Sequence, residues 1–428
     1  MHIGIYIGGT PSRVFDCTKV LTAGNPGIGG TEYEFIMLAT WLRRYAESHP
    51  GWKLTVFQGG RYDMGDGYDM VVGASMAEMP EQCRRRGIDV LVLDSRWPLG
   101  HIKAFDGTST AVVAWCHCVG SMYRHLLYAR YPGVRKVVFV SRGHMLGFID
   151  NPVAAKSTYA FNAVSHDKAV DRLREATPFA KRPHDVVFMG ALDESKGFHV
   201  LAKAWPEVLK AVPDARLHVI GSANLYGADA HMGPLGIAAE DYEATFADHI
   251  KGPDGGLHPS IILHGQLAQE KYDVMARCRV GVPNPDGATE TFCICAVEME
   301  LCGCRVVTSW SAGYIDTVPA PNVLVRKRGE LAQRIADALL DDSFDCTPVI
   351  DHIARNFSMD SVGRKWIAIF ESVRDGVPME EHIDIPREFR RRQRNARLRR
   401  YLPFVTPVGL LGDTLARFKA VLKRKLKR

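Results

Sequence analysis

Short runs of β-branched and apolar residues alternate with helical patterns along most of this chain, and that alternation limits the fold more than any other feature. Met1–Ile7 reads as an opening strand, followed by Lys53–Phe57, Val90–Leu93, Ala111–Trp115 and Val137–Val140. A second series runs through Asp185–Met189, Arg216–Ile220, Ile261–Leu263, Val280–Val282 and Arg305–Thr308. Strands separated by helices pair in parallel. The sequence therefore predicts an α/β protein with two doubly wound parallel-sheet domains facing across a cleft, its boundary between Ala163 and Pro183. Open parallel sheets bind ligands at the carboxyl ends of their strands, which makes that cleft the expected ligand site. Residues 225–259, rich in Gly and Asp, read as a surface excursion.

Composition narrows the class. At 428 residues the chain is long enough for two or three domains, and with 46% hydrophobic and 24% charged residues it is an ordinary globular protein. Ten cysteines are too few for a disulfide scaffold, so a reducing compartment is expected. The N-terminal apolar run lacks a preceding basic region and reaches glycine at once, unlike a signal peptide. No run approaches the ~20 apolar residues of a spanning helix. A cytoplasmic location follows as the expectation.

The net charge of +6 conceals an asymmetry. Arg387–Arg428 holds 15 basic and 2 acidic residues (+13), whereas residues 1–386 hold 39 and 46 (−7). Such a tail calls for an anionic partner. Arginines crowd Arg390–Arg400, and Leu411, Leu415, Phe418, Leu422 and Leu426 recur at helical spacing among further cations, which predicts a basic amphipathic helix. An anionic membrane surface, engaged through residues 387–428, is the expected partner; a nucleic-acid or protein partner and a plain solvated terminus are the alternatives.

Three segments could hold chemistry. Gly24–Glu34 is a glycine-rich loop opening onto a helix whose start is set at Thr31 by the capping-box spacing of Thr31 and Glu34, with Phe35, Leu38, Leu42 and Tyr45 on its apolar face. Glycines ahead of a helix N-terminus let backbone N–H groups approach a phosphate, although the segment also reads as a tight turn. Val187–Gly197 is a buried strand ending in Gly190 and a turn that presents Lys196 before a helix. That lysine can neutralise a diphosphate or simply face solvent. Glu290 and Glu298 flank an apolar stretch. On one continuous helix they would lie about 12 Å apart and about 80° around the axis, too far to share a proton. Each must address a different part of an extended ligand, unless Glu298 only caps a loop.

Together these residues resemble a glycosyltransferase of the GT-B fold, similar to the retaining family 4. The E-x7-E pair Glu290/Glu298, the strand-turn Gly190–Gly197 and the loop Gly27–Glu32 occur in family order. So do Val138–Ser141, Val219–Gly221, Leu263–Gly265, Gly303–Val307 and Gly313–Asp316. The resemblance covers residues 1 to about 375. It implies two Rossmann-like domains, an acceptor-side domain at 1–165 and a nucleotide-sugar domain at 166–356, with a return helix at 357–376 packing toward the first and the basic helical tail at 387–428.

The resemblance also implies roles. Gly29 and Gly30 would lie beneath the donor diphosphate and near the acceptor. Gly190, Lys196 and Gly265 would line the diphosphate, with Lys196 as its cation. Glu298 would hold the ribose hydroxyls, Glu290 the donor sugar near its reacting carbon, and His117 the donor sugar from the first domain. The donor would be a nucleotide diphosphate sugar, UDP- or GDP-linked, with no metal or other cofactor required, and the acceptor a sugar or lipid-linked saccharide in cell-surface polysaccharide or glycolipid synthesis. Three positions depart from the pattern: Ala191 replaces a common arginine, Cys293 a glycine, and Asp316 a glutamate. The pairs Cys293/Cys295 and Cys302/Cys304 are too closely spaced for a usual zinc site and are expected as buried thiols; on a helix, positions i and i+2 diverge. Two rival readings are a sugar-nucleotide epimerase of the same architecture and a nucleic-acid-binding protein that uses the tail.

Overall fold

A strand buried on both faces of a parallel sheet must be apolar throughout, and the central runs of the sequence are. In a computed structural model, which describes residues 1–9, 14–165, 177–223, 231–288, 290–379, 381, 383–402 and 405–412, they form two all-parallel sheets. The first contains β1 (His2–Ile7), β2 (Lys53–Gln58), β3 (Asp69–Val72), β4 (Val90–Asp94), β5 (Ala111–Cys116), β6 (Val134–Phe139) and β7 (Ser157–Tyr159), in spatial order 3-2-1-4-5-6-7. The second contains β8 (Asp185–Met189), β9 (Arg216–Ile220), β10 (Ile261–Gly265), β11 (Val280–Gly281), β12 (Arg305–Ser309) and β13 (Val323–Val325), in order 10-9-8-11-12-13. In each, the order reverses beside the first strand, between β1 and β4 and between β8 and β11. Crossovers leave that point in opposite directions and open a crevice at the carboxyl ends.

The helices that matter to the site are α1 (Gly30–Ser48), α2 (Phe198–Ala211), α3 (Lys271–Met275), α4 (Ile294–Leu301), α5 (Met359–Asp375) and α6 (Arg390–Tyr401). The chain divides into two compact units, one of residues 1–18, 29–162 and 359–428, the other of 19–28 and 163–358. In the first, α5 packs on α1: the Trp41 indole donates to Asp360 Oδ1 (2.8 Å), and a Cβ on Gly363 would fall 2.4 Å from the Trp41 ring. Trp115 and Trp366 meet edge to face, 4.7 Å between centroids, in the core below. In the second, Phe188, Phe198, Trp205, Val219, Val280 and Leu339 are all buried in one core.

Two differences from the sequence pattern have physical causes. Residues 19–28 count with the second unit, where the Ser165 hydroxyl donates to the Leu21 carbonyl (3.1 Å). The stretch read as a surface excursion instead contributes Ile237, Ala238, Phe246 and Ile250 to the second core. Its turn is held by the buried Glu243 carboxylate, which accepts from the backbone N–H groups of Leu235, Ile237 and Ala238. Among the described residues no helix is long and apolar enough to cross a membrane. The proposed amphipathic helix beyond Leu411 lies almost wholly outside the described residues.

Candidate nucleotide-sugar site

In the second unit the strand ends at the crevice are glycines. Gly190, Gly221 and Gly265 follow or end β8, β9 and β10, and they are stitched by Gly190 N–H to the Ile220 carbonyl (3.0 Å) and Gly221 N–H to the Gly265 carbonyl (2.8 Å). Gly221 sits at φ +142°, and a Cβ there would lie 1.9 Å from the Gly190 carbonyl oxygen, so no other residue fits. The row leaves a flat backbone floor without side chains.

Lys196 rises beside this floor. Asp193 accepts from the Ser195 backbone N–H (2.8 Å) and closes a single helical turn, and Gly197, at φ +70°, then opens α2. Lys196 Nζ lies 3.6 Å from Glu290 Oε2, on the loop after β11. Asn284, three residues after β11 and itself at φ +26°, donates to Glu290 Oε2 (2.9 Å) and to the Ser195 carbonyl (3.3 Å). One amide thus ties the lysine turn to the glutamate loop. Asn284 was not singled out from the sequence; its place just past a buried strand at the sheet's reversal was the available signal.

Glu290 does not share a helix with Glu298. Cys293 takes a left-handed conformation (φ 66°), α4 begins only at Ile294, and Glu290 lies on the preceding loop, so the helical separation of about 12 Å does not apply. With Cys293 at a left-handed turn before α4, the two cysteines do not share a helix, so the divergence expected on one does not apply. Interaction with the neighbouring Cys293 lowers the Cys295 thiol from its ordinary range, while burial pushes Cys293 well above it. No group of three or more His, Cys, Asp or Glu among the described residues is arranged to hold a metal.

Glu298 is buried on α4 and is held from α3. Lys271 Nζ lies 2.6 Å and Tyr272 Oη 2.8 Å from the same oxygen, Oε1. Both bonds fall on one side of the carboxylate. Against Tyr272 lies Gly24 of the glycine-rich segment: at φ +82°, a Cβ would approach the tyrosine oxygen to 3.2 Å. The segment's first half therefore lies over the residues that fix Glu298. Neither Lys271 nor Tyr272 stands out in the sequence, since both read as an ordinary short helix.

The first unit has its own cavity at the β1/β4 reversal, of about 240 Å³, lined by Gly8, Gly9, Glu32, Phe35, Arg96 and Trp97 among others. Asp94 and Arg96, both in its lining, pair with each other (2.6 Å). The helix beside it starts one residue earlier than the spacing predicts. Gly29 is the N-cap, Gly30 the first helical residue, and no side chain caps the end. Glu32, not Glu34, occupies the first turn, and its carboxylate folds over Gly29 so closely that a Cβ there would lie 2.4 Å from Oε2. His117 follows β5, buried between Trp115 (4.4 Å between centroids) and Phe35 (5.7 Å). Burial, with the Arg96 charge adding to it, lowers its pKa to about 3, so the imidazole is neutral near pH 7.

The structure thus joins Lys196 to Glu290 directly and lines them up with Gly190 and Gly265 at one sheet's carboxyl edge. Glu298 stands on the following helix, while His117, Gly29 and Gly30 lie in the first unit.

Residues 183–341 match the family described as Glycosyl transferases group 1. No curated protein sequence matches the chain. Solved structures with the same fold include HepE of Anabaena in complex with UDP and glucose (16% identity, TM-score 0.58, 87% of this chain and 100% of that one). Sucrose-phosphate synthase of Thermosynechococcus elongatus is similar at 13% identity (TM-score 0.60, 88% and 99%). AviGT4, a glycosyltransferase involved in avilamycin A biosynthesis, is similar at 14% (TM-score 0.55, 89% and 99%). The chain has the two-sheet GT-B fold, and residues 183–341 of its second unit are similar to the glycosyl transferases group 1 family.

Proposed function

We propose that this protein transfers a sugar from a nucleotide diphosphate sugar to an acceptor hydroxyl, with retention at the anomeric carbon. The observation that supports it most is the Lys196–Glu290 pair, 3.6 Å apart, beside a floor of strand-end glycines at a sheet reversal inside the matched family segment. Lys196 and the N-terminus of α2 stabilise charge as it builds on the leaving diphosphate. Glu290, oriented by Asn284, receives the donor sugar. Glu298, gripped through Oε1, turns its other oxygen to the ribose hydroxyls. The C–O bond to phosphate breaks with its electron pair passing to the phosphate; the acceptor oxygen attacks the same face and gives its proton to that phosphate. Lysine and helix end supply the charge that a divalent cation supplies elsewhere, so we expect no metal requirement.

The donor is a UDP- or GDP-sugar; the UDP complex of HepE favours UDP. Gly29, Gly30 and the cavity walled by Glu32 and Trp97 suit an acceptor hydroxyl better than a phosphate, because Glu32 already places a carboxylate at that helix end. Neutral His117 fits hydrogen bonding to a sugar, not proton transfer. A sugar or lipid-linked saccharide acceptor, in cell-surface polysaccharide or glycolipid synthesis at the inner face of the membrane, fits the arginine-rich C-terminus. Thermal-shift titration with UDP, GDP, ADP and their sugars should single out one base, and Lys196→Ala should cut turnover by orders of magnitude with the fold intact. Near-normal transfer by that variant would remove Lys196 from the mechanism.

A further inference from the structure

We infer that the outward face of α6 docks this protein on an anionic bilayer. The helix packs seven arginines and no acidic residue into 12 positions. Its inward side is fixed by one buried carboxylate: Asp150 accepts from Arg392 Nη1 (3.1 Å), Asn395 Nδ2 (2.8 Å) and the Val408 backbone N–H (2.6 Å). Arg399 bonds the Val405 carbonyl from the same side. At 100° per residue, positions 392, 395 and 399 fall within about 60° of one another. The opposite stripe is then Arg390, Arg394, Arg397 and Tyr401, and all four are exposed.

Charge alone would suit any polyanion; the apolar residues decide the partner. Leu398 is 51% exposed, Tyr401 84% and Leu411 71%. A concavity of about 460 Å³ lies alongside, lined by Arg391, Arg394, Leu398, Val408 and Leu411 among others. Guanidinium groups beside exposed leucine and tyrosine match the chemistry of a bilayer interface, which offers both phosphates and acyl carbons and where tyrosine sits at headgroup level. A nucleic-acid backbone offers nothing for Leu398 and Leu411 to bury against. The remaining chain, at −7 over residues 1–386, is repelled by the same surface, so the attraction is confined to this end and orients the protein on the membrane.

The test is sedimentation of the full chain with vesicles of phosphatidylcholine, with and without phosphatidylglycerol. Binding should need phosphatidylglycerol and weaken with salt. Arg390→Glu with Arg394→Glu and Arg397→Glu should lower the affinity by about 100-fold, and Leu398→Ser with Tyr401→Ser should remove the part that survives high salt. Retained vesicle binding by the charge-reversed chain would overturn the assignment to α6. So would salt-sensitive binding of RNA or DNA by a wild-type chain that ignores both kinds of vesicle. Nucleotide binding should be equal in all variants, which separates failure here from failure of the transferase reading.

Discussion

Lys271→Met is the perturbation that most directly probes how Glu298 is held. Both side chains of the pair are only 10% exposed. Removing one partner of a buried pair costs about 3–5 kcal/mol, because the remaining charge stays desolvated and unmatched. Tyr272 still donates to Glu298 Oε1, which points to the lower end, about 3 kcal/mol. At about 2–4 °C per kcal/mol for a domain of this size, unfolding of the second unit should fall by roughly 6–12 °C in calorimetry. Nucleotide affinity should drop as well, by about 10–100-fold, the worth of one hydrogen bond to a charged group. The double variant Lys271→Met, Glu298→Gln removes both charges, and its stability should largely recover. Its affinity should not, if the ionised carboxylate is what meets the ribose. A single variant with unchanged melting temperature and affinity would refute the positioning argument; a double variant that regained affinity would refute the ribose role of Glu298 and leave the pair purely structural.

Three more outcomes are expected. Gly221→Ala should destabilise the second unit by about 3 kcal/mol or more, read by chemical denaturation, since its Cβ lands on the Gly190 carbonyl; wild-type stability would mean that the glycine floor is not tightly packed. Glu300 is buried, and burial raises its pKa well above the ordinary 4.5. The folded state therefore keeps a proton that the unfolded state releases, and stability is lost as pH rises above about 4.5, so the melting-temperature gain of Glu300→Gln should grow with pH and not shrink. His117, lowered to about 3, should show no imidazole titration by NMR between pH 5 and pH 8, and an inflection near 6.5 would contradict its burial.

The sheet centres were legible because a strand covered on both faces has no choice of composition. Val90–Asp94 is buried at every position, and its neighbours nearly so. The edges were not: Asp69–Val72, Ser157–Tyr159 and Val323–Val325 bury little, and Val72 is 70% exposed, so nothing in their sequence demands a sheet. Lys196, Glu290 and the glycines could be singled out because the chemistry proposed for them needs a residue type close to a strand end. The supporting shell was not. Asn284 reaches back 89 residues to Ser195, and Lys271 reaches forward 27 to Glu298. Such contacts depend on which loops the topology brings together, and spacing along the chain does not encode them. The left-handed turn at Cys293 was legible only through the resemblance, since cysteine itself gives no sign of positive φ, whereas the glycine usual at that position does.

The two sheets share one order of strands, so each offers a crevice at the same place, after its first and fourth strands. What fills the two crevices differs in charge, and that difference separates their ligands. In the second unit the turn after β8 brings an ammonium, Lys196, and the glycine row, without side chains, lets a ligand lie close to the backbone; a diphosphate gains from both. In the first, β4 ends in Asp94, with Arg96 two residues on already committed to it, while Glu32 closes the helix end. A phosphate there would meet two carboxylates for one neutralised cation, whereas a hydroxyl finds acceptors and an indole face at Trp97. On the proposed transferase reading, the same fold used twice with opposite electrostatics places the donor anion on one unit and a polyhydroxylated acceptor on the other.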